Sequence, residues 1–256
     1  MTGFSACIEM LFVPETDDFV RRIHLAKAAG FSHVEFWRWS DKDLDVVQRA
    51  LDETGIKLAG IVAEPFAELT RASDHDRFLA GLEQSRDVAM RLGAPVLICQ
   101  SGPLLEGVDR LRQHEALTLA MAKSAEVLKG SGVRLGLEPL NDRIDHPGYY
   151  LTSTQEGLDI VAAVNRPEIG ITYDLYHSMV MGEDPETVIA GHLDRVVHLH
   201  LADHPGRHQP GSGTLPLRQK LDWLRAEGYD GVVGLEFRPT GGTVDALEQI
   251  DRRLTV

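Results

Sequence analysis

Cysteine is scarce in this chain: Cys7 and Cys99 are the two among 256 residues, and no Cys-x-x-Cys occurs. A disulfide framework is not needed, because a chain this long buries roughly three-quarters of its unfolded surface. Two thiols read as small buried residues suit a reducing cytoplasm. Long apolar runs are also missing; none approaches the roughly 18 residues that span a bilayer. Met1–Glu9 has no basic stretch followed by a long apolar one, so no secretory signal is expected and the location is read as cytoplasmic. Basic residues are few, 26 against 39 acidic, for a net charge of −13. That balance argues against a broad nucleic-acid surface, where Lys and Arg must displace counterions, although a local basic pocket stays allowed. No low-complexity linker divides the chain, and no Gly-x-Gly-x-x-Gly follows the first apolar run, which leaves an open dinucleotide-binding sheet without support.

What is present is an alternation of short apolar runs with longer amphipathic stretches. The runs are Phe4–Ile8, His33–Phe36, Lys57–Val62, Pro95–Cys99, Val133–Glu138, Glu168–Asp174, Val196–Ala202 and Gly231–Phe237. Asp74–Leu92 and His114–Lys129 are the clearest helical segments, and Gly30, Gly55, Gly93, Gly132 and Gly228 fall near the ends of such segments, where a left-handed cap suits glycine. Eight strand–helix units of about 32 residues imply parallel strands with helical crossovers. The fold expected is α/β, a single (β/α)8 TIM barrel spanning residues 1–256 as one domain.

Glu138, Asp174, His200 and Glu236 stand at the C-terminal ends of four successive strands, each about one unit from the next. Barrel active sites gather at that mouth, so residues spread over a hundred positions would converge. Strand parity agrees. Gly136 and Glu138 share one face, as do Gly170, Thr172 and Asp174, His198 and His200, and Gly234 and Glu236; the apolar residues alternate with them. The polar set would face the axis, and a glycine beneath each glutamate would leave room. Two Glu, one Asp and one His form a hard donor set suited to one divalent ion, Mg²⁺ or Mn²⁺ first, with Co²⁺ or Zn²⁺ compatible. The competing reading is burial of these acids in ion pairs with basic residues.

Further candidates lie on the loops after the strands. His177 follows Asp174 by three residues, Asn141 follows Glu138 by three, and His146 lies just beyond. Arg207, before the Pro210-Gly211-Ser212-Gly213 turn, offers a planar guanidinium for a substrate carboxylate or hydroxyl pair. Asp203 would orient His200 or cap that loop. On the other side, Glu9 is read as ending the first strand. Trp37 and Trp39 are read as pocket walls or packing residues, and Glu64 and Gln100 as weaker substrate contacts. Asp74-His75-Asp76 has metal-like spacing but is read as the acidic first turn of a helix.

Phe4-Ser5-Ala6, Val34-Glu35-Phe36, Leu137-Glu138-Pro139-Leu140-Asn141, His146-Pro147-Gly148-Tyr149, Tyr173-Asp174-Leu175-Tyr176-His177, His200-Leu201-Ala202-Asp203 and Pro210-Gly211-Ser212-Gly213 resemble the hydroxypyruvate isomerase family. That family belongs to the xylose isomerase-like TIM-barrel superfamily. The resemblance implies a divalent metal on Glu138, Asp174, His200 and Glu236, the two glutamates as acid/base groups, and substrate contacts from His177 and Arg207. It further implies isomerisation of a small hydroxy-carbonyl acid, from hydroxypyruvate to tartronate semialdehyde or on a 2-oxo-tetronate, through an enediolate. Two departures bear on substrate: some relatives carry Gln where this chain has His200, and Ser178-Met179-Val180-Met181 replaces a more polar continuation. The alternatives are a ketose 3-epimerase or inosose-processing enzyme, abasic-site DNA repair, and a non-catalytic sugar-binding barrel. The partner expected is a small-molecule substrate, with neither nucleic acid nor membrane; homo-oligomerisation is left open.

Overall fold

The computed structural model describes residues 3–254. Eight parallel strands close into a barrel in sequence order. They are β1 (Phe4–Cys7), β2 (His33–Phe36), β3 (Lys57–Val62), β4 (Val96–Gln100), β5 (Arg134–Glu138), β6 (Ile169–Asp174), β7 (Val196–Leu201) and β8 (Val233–Leu235). The helices between them are α1 (Phe19–Ala28), α2 (Leu44–Thr54), α3 (His75–Leu92), α4 (Arg110–Leu128) and α5 (Thr154–Val164). After β6 come the short α6 (Leu175–Met181) and α7 (Pro185–Val188), then α8 (Leu217–Ala226) and α9 (Thr243–Leu254). The (β/α)8 expectation holds. No helix among the described residues is long and apolar enough to cross a membrane.

Side-chain alternation sorts the strands into two layers. Ala6, Val34, Ile61, Leu97, Leu135, Leu137, Ile171, Leu199 and Leu235 belong to the continuous core between strands and helices, together with Ile23, Leu82, Leu117 and Ile160 from the helices. Each fully buried Leu or Ile there contributes about 1.5–3 kcal/mol of transfer free energy. A separate small cluster of Val62, Val96 and Ile98, with Val197 against it, fills part of the barrel interior. The rest of that interior is polar, and that is where the site is built.

Boundaries differ modestly from the sequence expectation. The α4 helix starts earlier, at Arg110, because Asp109 accepts hydrogen bonds from Leu111 N and Arg112 N and caps it. Gly55 and Gly93 are left-handed C-caps at φ +65° and +74°. The β8 strand is shorter at both ends, yet Glu236 N still donates to Leu201 O at 3.2 Å, so the ladder carries this residue into line with β7. Glu9 is corrected: β1 stops at Cys7, and Glu9 lies in the following turn, paired with Lys42 at 2.7 Å.

Candidate active site

Glu138 ends β5, Asp174 ends β6, His200 lies near the end of β7 and Glu236 follows β8. Each is buried, and one ligand atom from each of the four lies within 4.8 Å of the others. Glycines make the convergence possible. A Cβ on Gly136 would sit 2.1 Å from Thr172 Oγ1, and one on Gly234 would sit 2.4 Å from Glu35 Oε1 and 2.6 Å from His200 Cδ2. The small positions beneath the glutamates are therefore occupied by neighbouring side chains that need the space.

The four functional groups are tightly connected. His200 Nδ1 lies 3.3 Å from Glu138 Oε1 and 3.2 Å from Glu236 Oε2. Gln100 Nε2 donates to Glu138 Oε2 at 2.9 Å, and Trp37 Nε1 donates to Glu236 Oε1 at 2.7 Å. Arg207 Nη2 reaches Glu236 Oε2 at 2.6 Å and Asp174 Oδ2 at 3.2 Å. Asp174 divides its oxygens: Oδ1 caps α6 by accepting from Tyr176 N at 2.8 Å, and Oδ2 faces Arg207.

Three buried carboxylates so close together disturb one another. Burial, reinforced by Glu236 and Glu138, pushes Asp174 up to about 7 against the pull of Arg207 and His200. Burial also works against the Glu138 carboxylate, but contact with His200 outweighs it and brings Glu138 down to about 2. For His200 burial favours the neutral ring, yet Glu236 and Glu35 raise it well above the ordinary imidazole range. His177 moves the other way, to about 3, because burial and the nearby Arg207 both disfavour its cation.

A family model described as xylose isomerase-like TIM barrel matches residues 23–253. The chain belongs to this family. A Streptomyces coelicolor protein provisionally named hydroxypyruvate isomerase is 33% identical over 84% of this chain and 83% of its own length. The hydroxypyruvate isomerase of Escherichia coli K12 is 28% identical over 98% and 99%. The 2-oxo-tetronate isomerase of Haemophilus influenzae is 27% identical over 97% and 98%. Among solved structures, one from Brucella melitensis described as an AP endonuclease of family 2 superposes with a TM-score of 0.92 at 29% identity, covering 99% of both chains. With these relatives, the chain is an isomerase of the xylose isomerase-like family.

Of the four converging residues, Glu138 and Glu236 border a cavity of about 270 Å³ at the C-terminal mouth, and Asp174 and His200 lie behind its wall. Trp37, His177 and Arg207 reach it, as the sequence suggested. Arg207 is more committed than expected: Nη2 bridges two carboxylates, the guanidinium lies 5.3 Å from the Tyr176 ring centre, and buried Nε has no hydrogen-bond partner. Asn141 is not brought to the cavity wall. Its side-chain amide donates to Asp145 Oδ2 at 2.7 Å and contacts His177 Nδ1 at 2.6 Å, so it fixes the ring that does reach the cavity. Glu64 is not brought there either. It binds Trp39 N, Ser40 N, the Ser40 hydroxyl and Arg38 Nε, fastening the loop that carries Trp37.

Other predicted residues find structural work. Asp203 binds Gly211 N, Gly213 N and Leu215 N, so it shapes the loop and does not orient His200. Trp39 packs against the core and donates to Ser85. As expected of Asp74-His75-Asp76, α3 opens at His75 with Asp76 in its first turn, and His75 Nε2 lies 2.9 Å from Leu69 O. Sequence reasoning missed the cavity-facing Phe66, Tyr149 and Arg238, and undervalued Gln100. It gave Glu35 no role, although Glu35 was the one acid alternating with apolar residues in β2.

Proposed function

We propose that this enzyme isomerises a small α-hydroxy-carbonyl acid, of the hydroxypyruvate to tartronate semialdehyde type or a 2-oxo-tetronate, with a divalent cation and the pair Glu138 and Glu236 as proton carriers. The observation that carries the reading is the pair itself. Two buried carboxylates from β5 and the end of β8 flank the same His200 Nδ1 and open on one cavity of about 270 Å³. Charge favours a cation among them: three acids converge, and Arg207 pairs with Asp174 and Glu236 but does not reach Glu138. Glu138, Asp174, His200 and Glu236 would hold it, with Mg²⁺ or Mn²⁺ suiting the oxygen-rich set and Co²⁺ or Zn²⁺ compatible. When bound, such an ion polarises the substrate carbonyl.

The side chains supply the remaining chemistry. One glutamate removes a proton from the hydroxyl-bearing carbon, and the electron pair moves into an enediolate. A proton delivered to the former carbonyl carbon, with the hydroxyl proton passed between the two oxygens, completes the isomer without gain or loss of atoms. Gln100 and Trp37 hold the outer oxygens of the two glutamates, so each carboxylate keeps one face toward the cavity. Arg207 and Arg238, both on the cavity wall, favour an anionic substrate over a neutral ketose. A net charge of −13 and a cavity of small-molecule size count against a nucleic-acid substrate.

The test is to strip the enzyme with a chelator, restore Mg²⁺, Mn²⁺ or Co²⁺, and assay hydroxypyruvate, 2-oxo-tetronates, free ketoses, inososes and abasic DNA. Metal-restored turnover of an acid is expected. Ketose epimerisation without conversion of any acid, or nicking of abasic DNA, overturns the substrate class.

A further inference from the structure

Beneath the cavity lies a buried acid that the chemistry above does not use. Glu35, on β2, is 3% exposed and does not border the cavity. Its Oε2 accepts from the Ser5 hydroxyl at 2.7 Å and lies 2.8 Å from His198 Nε2. Its Oε1 has no well-aligned hydrogen bond, and its charged neighbour is His200 Nε2 at 3.1 Å. His200 is the same ring whose other nitrogen, Nδ1, faces Glu138 and Glu236. The bridge crosses the barrel interior between β2 and β7, and Gly234 on β8 is what lets it pass, since a Cβ there would strike both Glu35 oxygens and the His200 ring.

We infer that Glu35 is a positioning residue, which fixes the His200 imidazole from below with Nε2–H toward itself and so leaves the Nδ1 lone pair turned toward the cation site. This rests on the cation reading proposed above. An imidazole that ligates through one nitrogen is oriented by what its other nitrogen donates to, and a carboxylate in that place fixes the tautomer and strengthens the ligand. The anion is specifically suited here because it meets Nε2 of two imidazoles at once, His198 and His200, whose rings stand edge-to-face at 4.8 Å. A glutamine in its place could accept from one ring and would present its NH₂ to the other. One donor atom each from Glu35, His198 and His200 also lies within 4.8 Å of the others, which would admit a second ion. The Ser5 hydroxyl and the 2.8 Å His198 contact instead describe a hydrogen-bonded anion.

The experiment compares wild type and Glu35→Gln, both stripped of metal, by calorimetric titration with Mn²⁺, elemental analysis of bound metal, and ¹⁵N imidazole spectra of the Mg²⁺-loaded proteins. One ion per wild-type chain is expected, with binding about 10–100-fold weaker in Glu35→Gln. His200 is expected as the Nε2–H tautomer in wild type and as a mixture in the variant. An unchanged Kd in a folded variant, an Nδ1–H tautomer in wild type, or two ions per wild-type chain overturns the inference. If Glu35→Gln does not fold, Glu35→Asp, which withdraws the carboxylate from Nε2 by one methylene, is titrated in its place, with weaker binding expected and an unchanged Kd overturning the inference. Wild type that binds no divalent ion overturns the cation reading itself, a result distinct from equal binding by the two proteins.

Discussion

The two halves of the barrel serve the site in different ways. The β5–β8 half contributes all four converging side chains, Glu138, Asp174, His200 and Glu236. The β1–β4 half contributes the groups that hold them: Gln100 on Glu138, Trp37 on Glu236, Glu35 beneath His200, and Glu64 on the loop that carries Trp37. One half supplies the converging acids and imidazole, of which Glu138 and Glu236 reach the cavity, and the other supplies the donors and acceptors that orient them. The lesson is that each glutamate has one oxygen held by a donor from the other half: Gln100, its register partner on the adjacent β4, for Glu138, and Trp37, from the loop after β2, for Glu236.

This division can be broken by mutation. The largest effect is expected at the acids. Glu138→Gln and Glu236→Gln should each lower kcat by about 10²–10⁴-fold with an unchanged circular dichroism spectrum; near-wild-type turnover in either removes that residue from proton transfer. Removing the metal comes next: the stripped enzyme should be inactive, and cation at about a hundred times its Kd should restore turnover and add about 2.7 kcal/mol of stability, read from the melting curve. The supporting half should matter less. Gln100→Ala and Trp37→Phe each delete one donor to a charged acceptor, worth about 1.5–3 kcal/mol, so kcat/KM should fall by roughly ten- to a hundredfold. A loss equal to that of Glu138→Gln would erase the distinction between the halves. Glu64→Gln should raise KM a few-fold with kcat nearly kept, because it loosens a loop and not a reacting group.

The smallest expected effect on activity lies away from the site, on α5, and calibrates stability against activity. Burial works against the Glu156 carboxylate, but Tyr150, Arg110 and His114 outweigh it and hold the group below its ordinary range. A depressed carboxylate contributes stability above its unfolded pKa and loses it as pH falls through the folded one. Glu156→Gln should therefore cost about 1–2 kcal/mol at pH 7, with the difference shrinking in acid and activity unchanged.

The same division explains what could be read from sequence. Glu138, Asp174, His200 and Glu236 were legible because each interrupts an apolar alternation at a strand end and because their spacing repeats the βα unit. The barrel was legible for that reason also. Glu35 has the same alternation in β2, but its partners His198 and His200 lie more than 160 positions away and only barrel closure brings them near. Asn141 and Glu64 were placed on their loops, but their hydrogen-bond partners were not legible, since loop hydrogen bonds depend on which backbone amides the tertiary fold leaves free. Arg207 shows the limit most clearly. Its approach to two carboxylates follows from a turn that puts the residue at φ +53°, and nothing in its side-chain chemistry forecasts that.

Asp174 carries one more implication. Its Oδ1 is tied to the amides that begin α6, and its Oδ2 belongs to the site, so a single carboxylate joins a local folding equilibrium to an occupancy equilibrium. On the cation reading proposed above, fraying of α6 is expected to loosen the grip on the ion, and binding there to slow the opening of α6. Hydrogen exchange at the Tyr176 and His177 amides then becomes a gauge of occupancy that requires neither substrate nor turnover.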